Sequence, residues 1–88
     1  MGSVLMEVRV LLEVETDHEK VLDSIRNSLS VSNAELLEFN KVPIAFGIEA
    51  LNLLIRAPEE EEITTKVVDG IKNVEGVSSV EIGRTSRM

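Results

Sequence analysis

His18, the run Glu59-Glu60-Glu61-Glu62 and the arginines Arg84 and Arg87 are the side chains of this sequence whose chemistry could act on another molecule. His18 is the single histidine and stands between Asp17 and Glu19. No nucleophile or carboxylate is spaced around it to build a general base or a triad, so it reads as an exposed residue of a first helical turn. Consecutive helical residues point in different directions, so the four glutamates cannot converge on one cation. Following Pro58, they instead suit the positive end of a helix dipole. The glycines form neither a GxGxxG fingerprint nor a Walker loop, which leaves no nucleotide-binding signal. Cysteine is absent, which excludes disulfides, thiolate catalysis and cysteine-based metal sites. No catalytic residue, cofactor or metal is expected.

What remains is recognition. Phe39 and Phe46 are the only aromatic residues, and Phe46 belongs to the turn-forming segment Pro43-Ile44-Ala45-Phe46-Gly47. Pro43 fixes its own φ and drives Val42 towards extended geometry, while Gly47 permits backbone angles that a side chain opposes. A large apolar ring in such a segment is either a plug for the turn or a contact for a partner. Ile44 and Ala45 carry the same two readings. The formal charge of −7, from 9 basic and 16 acidic residues, argues against nucleic acid as a partner, because phosphate neutralisation dominates that affinity. It favours a basic protein surface. The N-terminus has no basic segment ahead of an apolar run, and no stretch approaches the roughly 18 apolar residues of a membrane span. A cytoplasmic protein that does not contact a membrane is expected.

The elements that must position these residues follow from periodicity. Val4, Met6, Val8, Val10, Leu12 and Val14 alternate with Leu5, Glu7, Arg9, Leu11 and Glu13, the pattern of a strand covered on one side. Thr16 and Glu19 have the spacing of a capping box, and Val21, Leu22, Ile25 and Leu29 form one helical stripe after it. Ala34 to Val42 is less regular. Leu36 and Phe39 fall on opposite faces of a regular strand, so a bulged strand near a sheet edge is expected there. Gly47 to Ala57 reads as a third strand with Leu51, Leu53 and Ile55 facing the helices. Pro58 opens a second helix with stripe Ile63, Val67, Ile71 and Val74, ended by Gly76. Val77 to Gly83 is a last strand, and Arg84 to Met88 a short tail.

Val21-Leu22-Asp23-Ser24-Ile25-Arg26-Asn27 matches Val67-Val68-Asp69-Gly70-Ile71-Lys72-Asn73 at every position by identity or close similarity. Each copy sits in the helix of a strand-helix-strand unit. Two such units make β-α-β-β-α-β, an α+β ferredoxin-like sandwich with a four-stranded antiparallel sheet and two helices on one face. The 88 residues form one domain, 1–88, which buries roughly 60 to 70% of its unfolded surface. The opposite sheet face is open and carries Leu5, Leu11, Ala50 and Leu54. RNA readers of this fold stack bases on aromatic rings there, and neither phenylalanine has a suitable position.

Pro43-Ile44-Ala45-Phe46-Gly47 followed by Ala50-Leu51-Asn52 resembles archaeal translation elongation factor 1-beta, a guanine nucleotide exchange factor. The resemblance runs nearly the whole chain, from the opening MG-x-V strand to Val74-Glu75-Gly76-Val77 and a basic C-terminus. It implies the ferredoxin-like fold and a GTPase partner, elongation factor 1-alpha, with Phe46 as an exposed contact that enters a pocket of that partner. Pro43, Ile44, Ala45 and Gly47 would shape the contact. In eukaryotic relatives a penultimate lysine is pushed towards the magnesium and phosphates of the GTPase. Arg87 holds that place here, with Arg84 one turn earlier, and a frayed, solvated tail is the other reading. A monomer is expected. The competing expectation is a regulatory module that binds a small ligand as a dimer. An acylphosphatase-type enzyme would need an arginine in a glycine-rich loop after the first strand, where Glu15-Thr16-Asp17 stands.

Overall fold

The computed structural model describes residues 2–87. The element order is β1 (Ser3–Leu12), α1 (His18–Val31), β2 (Glu35–Ala45), β3 (Ile48–Pro58), α2 (Ile63–Lys72) and β4 (Val77–Arg87). The four strands form one antiparallel sheet in the order β2-β3-β1-β4. This is the ferredoxin-like sandwich expected from the repeat. The two halves bury matching residues, Val21 and Ile25 in α1, Val67 and Ile71 in α2. At the second helix's Gly70 an added Cβ would collide with Ser28 Oγ, so the small residue lets the helices meet.

The core lies between the helices and one face of the two central strands. Met6, Val8 and Val10 of β1 sit opposite Ile55, Leu53 and Leu51 of β3, and all six are at most 3% exposed. Strand alternation places this set on one side, and Val21, Leu22, Ile25, Leu29, Ile63, Val67 and Ile71 close over it.

The second strand is an edge strand and carries the expected bulge. Its pairing with β3 slips between Leu36 and Glu38. The extra residue puts Leu36 opposite Ile55 and Phe39 opposite Leu53, so both reach the helix face, which a regular strand forbids. Phe39 stays half-exposed at the rim, with the Arg26 guanidinium 5.9 Å from its ring centre.

Several boundaries depart from the sequence expectation. The first strand stops at Leu12, because Glu15 takes φ +64° and breaks the ladder, which leaves Val14 exposed rather than in the core. The cap of α1 is Asp17, not Thr16: its carboxylate accepts from the Glu19 backbone N–H at 3.0 Å. The second helix starts at Ile63, since β3 runs on through Pro58 and Glu62 turns with φ +63°. Glu59 to Glu61 therefore precede that helix instead of forming its first turn. The helix ends at Lys72, before Gly76. Gly76, at φ +95°, instead turns the chain into β4, and its carbonyl accepts from Glu13 N–H at 2.9 Å.

The expected tail is strand. Residues through Arg87 belong to β4, with Arg87 opposite Val4 of β1. Two register slips accommodate this, one between Leu11 and Leu12 and one between Met6 and Val8, where Gly83 and Arg84 lie between the flanking pairs. Met88 lies outside the described residues.

Candidate interaction site

The second and third strands project as a hairpin whose tip is Phe46-Gly47, between the paired residues Ala45 and Ile48. Phe46 has φ +54° and Gly47 φ +78°. Positive φ at both central residues is what a type I′ turn requires, and that turn matches the natural twist of a hairpin. Gly47 is needed for its backbone angle alone, since an added Cβ would meet nothing within 4 Å. Pro43 sits opposite Glu49, and because β2 is an edge strand its missing N–H does not break an interior ladder. A second register slip between Pro43 and Ala45 leaves Ile44 as the extra residue.

The apex is apolar and open to solvent. Phe46 is 97% exposed, Ile44 51% and Ile48 37%, and Pro43, Ala45 and Gly47 are exposed beside them. The reading of Phe46 as a plug for the turn is therefore excluded by its exposure. The ring contributes nothing to the core, and it occupies a backbone conformation that an ordinary L residue adopts only at about 1–2 kcal/mol.

At the base of the hairpin a polar cluster joins three elements. His18 Nε2 lies 3.0 Å from Glu49 Oε1, and Lys41 Nζ lies 3.9 Å from Glu49 Oε2. His18 is thus not the free helix residue that its neighbours in sequence suggest. Its partner is remote in the chain, and no local signal pointed to the contact.

The structure brings Pro43, Ile44, Ala45, Phe46 and Gly47 together and leaves Arg84 and Arg87 elsewhere. Arg87 is level with Ala57 through their shared partner Val4. The path along β3 from Ile48 to Ala57 is about 30 Å given a strand rise of roughly 3.3 Å per residue. The long axis of the molecule is 43 Å. Phe46 and Arg87 therefore occupy opposite ends of the sheet. Arg87 is mostly exposed, its Nη2 is 2.8 Å from Glu59 Oε1, and Glu59 N–H donates to the Gly2 carbonyl at 2.9 Å. Arg84 is exposed within the bulged part of β4.

The open sheet face is more polar than expected. Arg9 Nε donates to Asn52 Oδ1 at 3.2 Å. A shallow groove of about 510 Å³ is lined there by Glu7, Glu38, Asn40, Leu54 and Glu81 among others. Ala50, assigned to this face, is nevertheless buried at 1% exposure, covered between neighbouring strands opposite Leu11 and Val42.

The architecture is that of a ferredoxin-like domain with an exposed apolar hairpin apex. The fold is shared with two solved structures. One is the ACT domain from GTP pyrophosphokinase of Chlorobium tepidum, with a TM-score of 0.65, 21% identity, and coverage of 92% of this chain and 99% of that one. The other is the C-terminal domain of the MgtC protein from Mycobacterium tuberculosis, with a TM-score of 0.70, 15% identity, and coverage of 94% and 86%. Residues 3–88 match the family model described as the EF-1 guanine nucleotide exchange domain. Elongation factor 1-beta of Korarchaeum cryptofilum is 40% identical over 88 residues, covering 100% of this chain and 96% of the relative. That of Ignicoccus hospitalis is 41% identical over 90 residues, covering 100% and 95%. That of Archaeoglobus fulgidus is 39% identical over 83 residues, covering 93% of each. The chain belongs to the elongation factor 1-beta family. Its role is that of a guanine nucleotide exchange factor in translation elongation, and not that of a catalytic enzyme in the usual sense.

Proposed function

We propose that this protein promotes replacement of GDP by GTP on elongation factor 1-alpha, with the β2–β3 hairpin apex as its principal contact. The observation that supports this most directly is the near-complete exposure of Phe46 on a left-handed backbone. Asparagine or glycine would remove the backbone penalty, and strain kept at a solvent-exposed apex points to use by a partner. A ring of this size seated in a partner's pocket is typically worth at least ~2 kcal/mol on truncation. Pro43, Ile44, Ala45 and Gly47 shape the knob that carries it.

Exchange of this kind requires no catalytic side chain. A factor that binds the nucleotide-free GTPase more tightly than the nucleotide-bound form weakens nucleotide affinity by the same ratio. Bulk GTP then replaces the GDP that leaves. Arg84 and Arg87 make a second contact, directed at the magnesium and phosphate region of the GTPase. Arginine keeps the charge of a lysine but is planar and wider. Since β4 carries Arg87 to the end of the sheet remote from Phe46, apex and arginines meet different parts of the partner. The acidic charge of −7 favours a basic partner surface. The protein acts in the cytoplasm as a monomer, with no direct contact to nucleic acid or membrane and no cofactor of its own.

The test is the release rate of a fluorescent GDP analogue from elongation factor 1-alpha, with the unsubstituted protein and with Phe46→Ala. Acceleration by the first, reduced at least about 30-fold at sub-saturating concentration by the second, is expected from an anchor of the size given above. Absence of acceleration by the folded, unsubstituted protein sinks the reading. Acceleration that survives Phe46→Ala moves the site away from the apex.

A further inference from the structure

We propose that Glu49 is a positioning residue for the hairpin: its carboxylate, shared between His18 of α1 and Lys41 of β2, sets the direction in which Phe46 is presented. This rests on the apex being the docking element and adds what orients it.

The need for such a device follows from where the core ends. Leu51, at 1% exposure, is the last core residue of β3 on the helix side. Beyond it Ile48, Ile44 and Phe46 are progressively exposed, so apolar burial falls away towards the tip. A two-stranded ribbon without a covered face is marginally ordered in water, and strand twist is largest in such ribbons. The register slip at Ile44 interrupts the ladder as well. Backbone pairing holds the strands to each other, but it leaves their direction relative to the sheet soft.

The first helix supplies the fixed reference. It is held in the body by buried Val21, Leu22, Ile25 and Leu29 and is capped by Asp17. His18 is its first residue, and its Nε2 reaches Glu49 Oε1 at 3.0 Å, with the two side chains 25% and 31% exposed. The other carboxylate oxygen faces Lys41 Nζ at 3.9 Å. Among the described residues, Glu49 is the one carboxylate that has two basic partners. Lys41 belongs to the hairpin itself and holds the carboxylate from within it, whereas the His18 contact crosses to α1, so rotation of the hairpin about its base stretches the His18–Glu49 contact.

Partly exposed ion pairs add little to global stability, so the fold should tolerate their removal. Presentation of Phe46 should not. If the docking-competent orientation drops to between a third and a tenth of the population, apparent affinity falls by the same roughly 3- to 10-fold factor.

The experiment combines ¹⁵N relaxation with the GDP-release assay on the unsubstituted protein, Glu49→Gln, His18→Ala and His18→Lys, the last placing a lysine ammonium next to Glu49. Order parameters at residues 44–48 should lie near the rigid value of about 0.85 in the unsubstituted protein. They should fall towards about 0.6 in Glu49→Gln and His18→Ala. Core amides should keep their values, and His18→Lys should recover much of the loss. Exchange at sub-saturating factor should drop about 3- to 10-fold, while the rate at saturation is kept. Unchanged apex order in both Glu49→Gln and His18→Ala overturns the proposal. So does lost apex order with undiminished exchange. Failure of the unsubstituted protein to accelerate release overturns the docking reading instead, and the relaxation data still decide whether Glu49 orders the apex.

Discussion

Replacing Phe46 with asparagine should move stability and exchange in opposite directions. The native residue has φ +54° and is followed by Gly47 at φ +78°, and Asn-Gly is the pair most favoured in a type I′ turn. An ordinary L residue in left-handed geometry costs about 1–2 kcal/mol, a penalty that asparagine largely escapes. With the ring 97% exposed, almost no packing is lost in return. The net gain should be about 1 kcal/mol, equivalent to a rise in Tm of about 5 °C for a domain of this size. The same substitution removes an anchor worth at least ~2 kcal/mol, so GDP release at a given sub-saturating concentration should slow at least about 30-fold. Urea unfolding followed by circular dichroism reads the first effect as a higher midpoint with an unchanged m-value. The fluorescent-GDP assay reads the second. Phe46→Ala separates the contributions, because it keeps the backbone penalty and loses only the ring. A variant Phe46→Asn that unfolds at lower urea would show that the ring packs within the fold and would refute the argument. A stabilised Phe46→Asn that exchanges normally would place the contact elsewhere.

Other substitutions probe the body of the protein and the second contact. Ile55→Ala empties the middle of the core, where the side chain is fully buried, and should cost about 2–5 kcal/mol, read from the urea midpoint. Gly76→Ala should cost at least about 2 kcal/mol in the same assay, because positive φ is compounded by close approach; the new Cβ would stand 2.6 Å from Thr16 Cγ2 and 3.3 Å from Val21 Cγ2. Gly47→Ala shares the positive φ but meets open space, so its loss should be only about 1 kcal/mol. Arg87→Ala breaks an exposed pair with Glu59 and should change stability by less than about 1 kcal/mol. Exchange should slow measurably, and an unchanged rate would remove Arg87 from the contact surface.

Much of this architecture is legible along the chain because its signals are local. Alternation from Val4 to Leu12 marks one buried face within a few residues. The stripes of Val21, Ile25, Val67 and Ile71 mark two helices in the same way, and their agreement at equivalent repeat positions points to two like halves. The conflict between Leu36 and Phe39 was also readable, since period-2 geometry cannot place both on one face without a bulge. Boundaries were less legible. Asp17 and Thr16 are both able to cap a helix, and the choice between them depends on where β1 releases the chain. The glutamates before Ile63 looked helical because an N-terminal dipole favours them, yet pairing with β1 extends β3 through Pro58.

The sequence by itself determined the element types, the core faces of β1, β3 and both helices, and a turn within Pro43 to Gly47, which the structure narrows to Phe46-Gly47 by carrying β2 through Ala45. Each of these is set by spacing or by backbone preference over a few residues. Only the tertiary structure decided what depends on strand register and on partners distant in the chain. Thr85, Ser86 and Arg87 carry no apolar pattern of their own, and they are strand because Met6, Leu5 and Val4 of β1 lie opposite them. That pairing sends Arg87 to the end of the sheet away from Phe46, and no spacing in the sequence records it. His18 and Glu49 are likewise unrelated until the sandwich closes, when the start of α1 comes to rest beside the base of the hairpin.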